Sequence, residues 1–124
     1  MLQFLQPPLP RSLALEQERR RTPRYPFIAT AELLDEASHA STSTRVTELS
    51  LNGCFIEMSN PLPKDASIRV KVYSEGKFFE APGKVVYSLR EGIGVTFHEV
   101  HPQYLNVLKR WLLAAAIAKY GAKP

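Results

Sequence analysis

The sequence predicts a mainly β fold: a six-stranded antiparallel β-barrel, with one C-terminal α-helix packed against it and a flexible N-terminal tail. Six segments between residues 27 and 99 alternate between apolar and other residues or are rich in β-branched residues, as strands are. Short connections without helical patterns join most of them, which favours antiparallel neighbours. After residue 102 the apolar spacing changes to three and four residues, which is typical of an amphipathic helix.

The chain has 124 residues, enough to bury one hydrophobic core. We therefore expect a single domain over residues 18–124, preceded by a tail over residues 1–17 that is rich in proline and has no sustained period. Within the domain we expect an arginine segment at 19–24, the barrel at about 27–99 and the helix at about 102–119.

The first three predicted strands follow one another along the chain, and a tight turn joins the second to the third. The first strand alternates cleanly, with one set of apolar residues at every second position: Phe27, Ala29, Ala31 and Leu33. The second strand reads "TSTRVTELS" and the third "CFIEM". Between these two, Asn52 and Gly53 can both take positive φ in a tight turn.

The fourth strand, "SIRVKVYS", has apolar residues at alternate positions, Ile68, Val70 and Val72, and the last two strands read "FFEAPGKVVYSLR" and "IGVTFHEV". Pro82 and Gly83 are expected to bend or bulge the fifth strand. Pro102 suits the first turn of the helix, and Gly121 and Pro124 are placed to end it. The apolar stripe of the helix consists of Tyr104, Leu105, Leu108, Trp111, Leu112 and Ala115.

Several classes of protein are disfavoured. The apolar run from Trp111 to Ala118 is too short to cross a bilayer, and the N-terminal segment lacks the basic leader of a signal peptide, so we expect a cytoplasmic protein without membrane insertion. The single cysteine, Cys54, is expected to be a buried structural thiol. The three histidines form no metal-ligand spacing, and no catalytic motif is present, so we expect neither a metal site nor an enzyme.

The positive charge is local. Sixteen Lys and Arg against twelve Asp and Glu give +4, and four residues, Arg19, Arg20, Arg21 and Arg24, account for all of it. Taken alone, such a cluster is most simply a solvated basic linker. As a binding feature it suits one small anionic ligand better than a long nucleic acid, which needs cations spread along a face.

Two short motifs carry a family resemblance. Arg20-x-x-x-Arg24 is followed by Glu48-x-Ser50-x-x-Gly53, in the sequence "ELSLNG". Together they resemble the RxxxR and D/NxSxxG signature of PilZ domains, which are bacterial receptors for cyclic di-GMP. The resemblance extends from about Glu18 to Ala118 through "ERRRTPRYPF", "VTELSLNGCFIEM", "EGIGVTF" and the closing helix.

The resemblance implies a ligand-binding site for cyclic di-GMP. Arg20 and Arg24 would contact phosphate and guanine, and Arg21 lies in the same segment as an additional contact. Ser50 would offer a hydroxyl to a base edge or a phosphate, and the turn at Gly53 would let the backbone approach. Glu48 stands where the family pattern has Asp or Asn, and its carboxylate can accept the guanine N1 and N2 protons.

Three hypotheses follow. The first is a non-catalytic cyclic di-GMP receptor or adaptor that holds the dinucleotide between the arginine segment and the barrel and signals through a partner protein. The second, suggested by Glu48, is a PilZ-like adaptor that binds proteins without the ligand. The third is a small nucleic-acid-binding barrel, for which the chain offers Lys71, Tyr73, Lys77, Phe78 and Lys84.

Overall fold

The computed structural model describes residues 22–120, which form six strands and one helix. They are β1 (Arg24–Asp35), β2 (Ser41–Ser50), β3 (Gly53–Glu57), β4 (Ser67–Ser74), β5 (Lys77–Leu89), β6 (Gly92–Phe97) and α1 (Pro102–Tyr120). The strands close into a barrel in the order β1-β2-β3-β6-β5-β4, with every neighbouring pair antiparallel. The predicted fold class is confirmed.

The barrel interior is filled by the apolar sets that the alternation predicted. Ala31 and Leu33 of β1 and Val70 and Val72 of β4 are almost fully buried, and Phe79 of β5 is the largest fully buried side chain. Burying one such Val, Leu or Phe side chain stabilises a fold by about 1.5–3 kcal/mol. The repeated inward rows therefore supply the main driving force for closing the sheet.

Strand β1 begins at Arg24, three residues before the predicted start. Its first part pairs with β2 alone, because the pairing with β4 runs only from Thr30 to Asp35. Pro26 is therefore tolerated inside the strand, since no second neighbour needs its missing N–H group. A bulge between Pro26 and Ala29 follows this one-sided stretch.

The turn between β2 and β3 differs from the sequence prediction. Asn52 and Gly53 do not have positive φ; among residues 22–120, Gly76 is the glycine in that region. Gly53 is instead required by close packing, because a Cβ there would collide with the carbonyl oxygen of Val95. The predicted reason for this glycine was wrong, and the absence of a side chain is what the fold uses.

The predicted bend at Pro82 and Gly83 is also wrong. Both residues pair with β4 in an unbroken register, and the irregularity of β5 lies between Val85 and Tyr87. Gly83 serves packing rather than bending, because a Cβ there would lie 2.8 Å from the Val95 side chain.

Helix α1 packs on β1 and β5. Leu108 and Trp111 are buried, and Trp111 stacks on Phe27 with ring centroids 5.4 Å apart. Tyr104 contacts the ring of Phe79. The helix matches its prediction, while Gly121 and Pro124, the predicted stop, lie outside the described residues. Over residues 22–120, no helix combines the length and the apolar character that a membrane span requires.

Candidate ligand-binding site

The pairing of β1 with β2 brings the two sequence motifs together. Arg24 lies directly opposite Ser50, and Pro26 lies opposite Glu48. The arginine is exposed at the start of its strand, whereas Ser50 is buried at the end of the neighbouring one. Arg24, the described arginine of the first motif, thus lies beside the second motif at one end of the barrel.

An open pocket lies at this edge. Its floor and walls come from the start of β1, the β2–β3 turn and the facing parts of β5 and β6. The lining residues are Thr22, Arg24, Glu48, Leu49, Ser50, Asn52, Gly53, Cys54, Val86, Tyr87, Gly94, Val95 and Thr96. Four of the six predicted site residues are among them.

The other two predicted site residues, Arg20 and Arg21, lie outside the described residues, as does Arg19. Their assignment to the site remains a prediction.

Ser50 holds the β2–β3 turn through its side chain. Its hydroxyl oxygen accepts hydrogen bonds from the backbone N–H groups of Asn52 (3.3 Å) and Gly53 (3.1 Å), and the hydroxyl donates to the Gly53 carbonyl oxygen at 3.2 Å. These bonds fix the conformation of the pocket rim. The hydroxyl thus has a role in the turn, and the ligand contact expected from the sequence remains a prediction.

Glu48 is half-buried and lines the pocket beside this turn. Within residues 22–120 its carboxylate has no hydrogen-bond or ion-pair partner. Among the described residues, therefore, no side chain competes with a ligand for the Glu48 carboxylate.

Thr22 ties the chain before β1 to the pocket. The side-chain amide of Asn52 donates a hydrogen bond to the Thr22 hydroxyl oxygen at 2.8 Å. This contact holds Thr22, the first described residue of the arginine segment, next to the turn that Ser50 holds. Sequence reasoning missed Thr22, because nothing in a single sequence pairs it with a residue thirty positions away.

Tyr87 adds an aromatic wall that sequence reasoning also missed. The bulge before Tyr87 lets two successive residues, Val86 and Tyr87, line the same pocket, although successive side chains of a regular strand point to opposite faces. The ring lies over Gly94, where a Cβ would collide with it, and stacks near Phe55 at 6.3 Å between centroids. The glycine spacing in "EGIGVTF" was the available signal for this close approach.

Cys54 lies at the inner side of the pocket and is buried, as predicted. Burial raises the pKa of its thiol, so the group stays neutral and is a poor nucleophile. Among the described residues, no cluster of three or more His, Cys, Asp or Glu side chains could hold a metal ion.

Of the residues proposed for a nucleic-acid surface, only some lie next to one another in the structure. Lys71, Tyr73 and Phe78 are neighbours, with the Lys71 Nζ atom 4.8 Å from the centre of the Phe78 ring. Two carboxylate residues flank this lysine in register, Glu32 on β1 and Glu80 on β5. Lys84 lies farther along β5, opposite Ser67. A phosphate backbone would therefore meet acidic side chains beside the lysine.

The family follows from a match over most of the chain. A family model described as "PilZ domain" matches residues 18–114. The chain belongs to the PilZ domain family. A search of curated proteins found no match.

Several solved structures, two of them described as PilZ domains, share the fold at low sequence identity. The PilZ domain of YcgR from Escherichia coli, with c-di-GMP, has a TM-score of 0.64 and 16% identity, covering 82% of this chain and 97% of that one. The PilZ domain of CeSA from a cellulose-synthesizing bacterium has a TM-score of 0.62 and 15% identity, covering 74% and 96%. The inhibitor of motility MotI/DgrA of Bacillus subtilis has a TM-score of 0.69 and 13% identity, covering 82% and 53%.

Proposed function

We propose that this PilZ domain is a non-catalytic receptor for cyclic di-GMP. It binds the dinucleotide between the arginine segment and the barrel, and it signals by changing its contacts with a partner protein. The observation that carries the proposal is the register of β1 on β2, which sets Arg24 opposite Ser50 and leaves Glu48, Ser50 and Gly53 on one pocket. A bacterial, cytoplasmic receptor is part of the same proposal.

The proposed chemistry assigns the anionic groups of the ligand to arginine. A guanidinium can fork onto two phosphate oxygens or onto guanine O6 and N7, and Arg24 is exposed at the pocket rim where either can approach. Arg20 and Arg21 precede Thr22 by two positions and one in the sequence, so the proposal assigns them to the same site.

The barrel side of the site would recognise the base. The carboxylate of Glu48 can accept the guanine N1 and N2 protons, which is a charge-assisted and therefore strong pairing. Tyr87 offers an aromatic surface for stacking, worth about 1–3 kcal/mol per base in nucleic-acid sites. The hydroxyl of Ser50 would support the ligand indirectly, by holding the turn whose backbone faces the pocket.

Relatives support the choice of ligand. The YcgR domain was solved with c-di-GMP, and the PlzA protein of Borreliella burgdorferi was solved in complex with c-di-GMP, at a TM-score of 0.56 and 16% identity over 86% of this chain and 50% of that one. Both structures share the fold that forms the pocket here.

The second candidate is a PilZ-like adaptor that binds a protein without the ligand. Two observations favour it: Glu48 replaces the shorter Asp or Asn of the family motif, and the Ser50 hydroxyl is already engaged by the turn. The third candidate, a nucleic-acid-binding barrel, has less support, because acidic residues flank Lys71 on both neighbouring strands.

Calorimetric titration with cyclic di-GMP separates the first two candidates. We expect heat of binding with the native chain and its loss with Arg24→Ala. The matched control is Arg45→Ala, which removes an exposed arginine of β2 that pairs with Glu57 on the surface and should leave binding unchanged. No heat with the native chain at high micromolar ligand would overturn the receptor proposal and favour the adaptor.

A further inference from the structure

Helix α1 presents an apolar stripe to solvent, on a face other than the one that packs on the barrel. Leu113, Ile117 and Tyr120 are 64%, 53% and 65% exposed, although their neighbours Leu108 and Trp111 are buried. The exposed residues are spaced by four and then three positions, which is the heptad spacing of a helix-packing seam. The stripe is therefore a second apolar face, separate from the one that holds the helix on the barrel.

The rest of this face has one sign of charge. None of the nineteen residues of α1 is acidic, and Lys109 and Arg110, which flank the stripe near its start, are both exposed. Ala114 and Ala118 lie beside the stripe and are exposed as well, so small side chains would let a neighbouring backbone approach. The face thus combines an apolar seam with positive edges.

From this pattern we propose that α1 is a docking surface for an amphipathic acidic helix of a partner protein. Leu or Ile side chains of the partner would pack along Leu113, Ile117 and Tyr120, and its Asp or Glu side chains would meet Lys109 and Arg110 at the edge. Charge complementarity to Lys109 and Arg110 calls for a negatively charged partner. The heptad spacing of the seam calls for a partner that is helical.

Two other occupants fit the charges less well. In a two-fold dimer the same patch meets itself, so the cations of one copy would face those of the other. An anionic membrane surface is usually held by a cluster of roughly four to eight Lys and Arg residues, whereas this face has two, Lys109 and Arg110.

The docking surface ends beside the ligand site. The rings of Tyr120 and Tyr25 are 6.4 Å apart in a T-shaped arrangement, and the Lys119 Nζ atom lies 5.5 Å from the Tyr25 ring. Tyr25 follows Arg24 directly in β1. Through this contact, ligand binding at the pocket could alter the docking surface. That regulation rests on the proposed receptor function, whereas docking of the partner helix does not.

Fluorescence anisotropy of the full chain with a designed peptide tests the inference. The probe is a labelled helix of about three heptads with Leu at a and d and Glu at e and g, and its control carries Lys in place of Glu. We expect the Glu peptide to bind at least about tenfold more tightly than the Lys peptide. Leu113→Gln with Ile117→Gln should abolish that binding, whereas Leu89→Gln, at an exposed leucine of the β5–β6 hairpin, should not.

Charge reversal provides a second test that leaves the apolar seam intact. Lys109→Glu with Arg110→Glu should reverse the preference, so that the Lys peptide binds more tightly. This variant remains informative even if the double glutamine variant fails to fold. An unchanged preference, or equal binding of both peptides, would overturn the proposal.

Two results would assign the surface to something else. Self-association in sedimentation, removed by the Leu113 and Ile117 changes, would assign it to a second copy. Binding to phosphatidylglycerol vesicles, with no binding of the Glu peptide, would assign it to a membrane. Heat with cyclic di-GMP but no peptide binding would overturn the docking surface alone, while peptide binding without that heat would overturn only the receptor function.

Discussion

The side-chain amide of Asn52 donates a hydrogen bond to the hydroxyl oxygen of Thr22, 2.8 Å away and thirty positions earlier in the chain. This bond joins the β2–β3 turn to Thr22, a residue within the arginine segment. It fixes the point at which that segment reaches the pocket, so both halves of the proposed site share one anchored edge.

Removing this anchor should weaken the ligand more than the fold. Asn52→Ala deletes one exposed hydrogen bond, whose net worth is about 0.5–1.5 kcal/mol. We expect cyclic di-GMP affinity to fall about three- to tenfold by calorimetry, with little change in melting temperature. In a double-mutant cycle Thr22→Val should add nothing further to Asn52→Ala; additive losses would show that the two residues act separately.

Tyr87 should contribute through its ring. Tyr87→Phe keeps the aromatic surface over Gly94 and should retain affinity, whereas Tyr87→Leu removes it and should cost about 1–3 kcal/mol of binding free energy. Calorimetry of the two variants gives the comparison, and urea unfolding checks that the packing with Phe55 survives. Equal affinities of the Phe and Leu variants would exclude base stacking at this ring.

Shortening Glu48 to the residue type of the family motif should strengthen binding. Glu48→Asp removes one rotatable bond, which saves on the order of 0.5 kcal/mol of side-chain entropy, or about a twofold gain in affinity. Glu80→Asp, on β5, is the matched control and should change nothing. Weaker binding of Glu48→Asp would show that the site already fits the longer carboxylate.

The buried thiol predicts a specific pH dependence of stability. Burial raises the pKa of Cys54 above the ordinary value of 9.0, so the folded chain keeps a proton that the unfolded chain loses. The contribution of the protonated thiol to the free energy of unfolding is complete below about pH 9. It is lost as the pH rises further, and the free energy of unfolding then falls with a slope approaching about 1.4 kcal/mol per pH unit.

Urea unfolding of the native chain and of Cys54→Ala between pH 7 and pH 10.5 measures this term. The difference in the free energy of unfolding between the two proteins should stay constant up to about pH 9. Above that pH the native chain should lose stability relative to Cys54→Ala. Parallel pH profiles would contradict the assignment.

Much of the fold could be predicted because its determinants are local. Alternation along β1 and β4 identified their inward rows, and the three- and four-residue spacing of α1 identified Leu108 and Trp111. The errors concern contacts between strands. The reason for Gly53 is a carbonyl of β6, and the bulge of β5 lies at Val86 rather than at Pro82, neither of which a local pattern encodes.

The site was predictable in part for the same reason. The two motifs named Arg24, Glu48, Ser50 and Gly53, and the register of β1 on β2 brings these four together. Thr22 was not found because it joins the pocket through Asn52, thirty positions away, and Tyr87 because the β5 bulge that places it beside Gly94 is not encoded in a local pattern.

Backbone amide NMR during titration with cyclic di-GMP is the sharpest test of the proposed site, because it reports where the ligand lies. We expect large shifts at Ser50, Asn52, Gly53 and Gly94 around the pocket, and none along the buried row of β4 from Ile68 to Val72. Shifts confined to the Lys71 and Phe78 surface, or no shifts at saturating ligand, would contradict it.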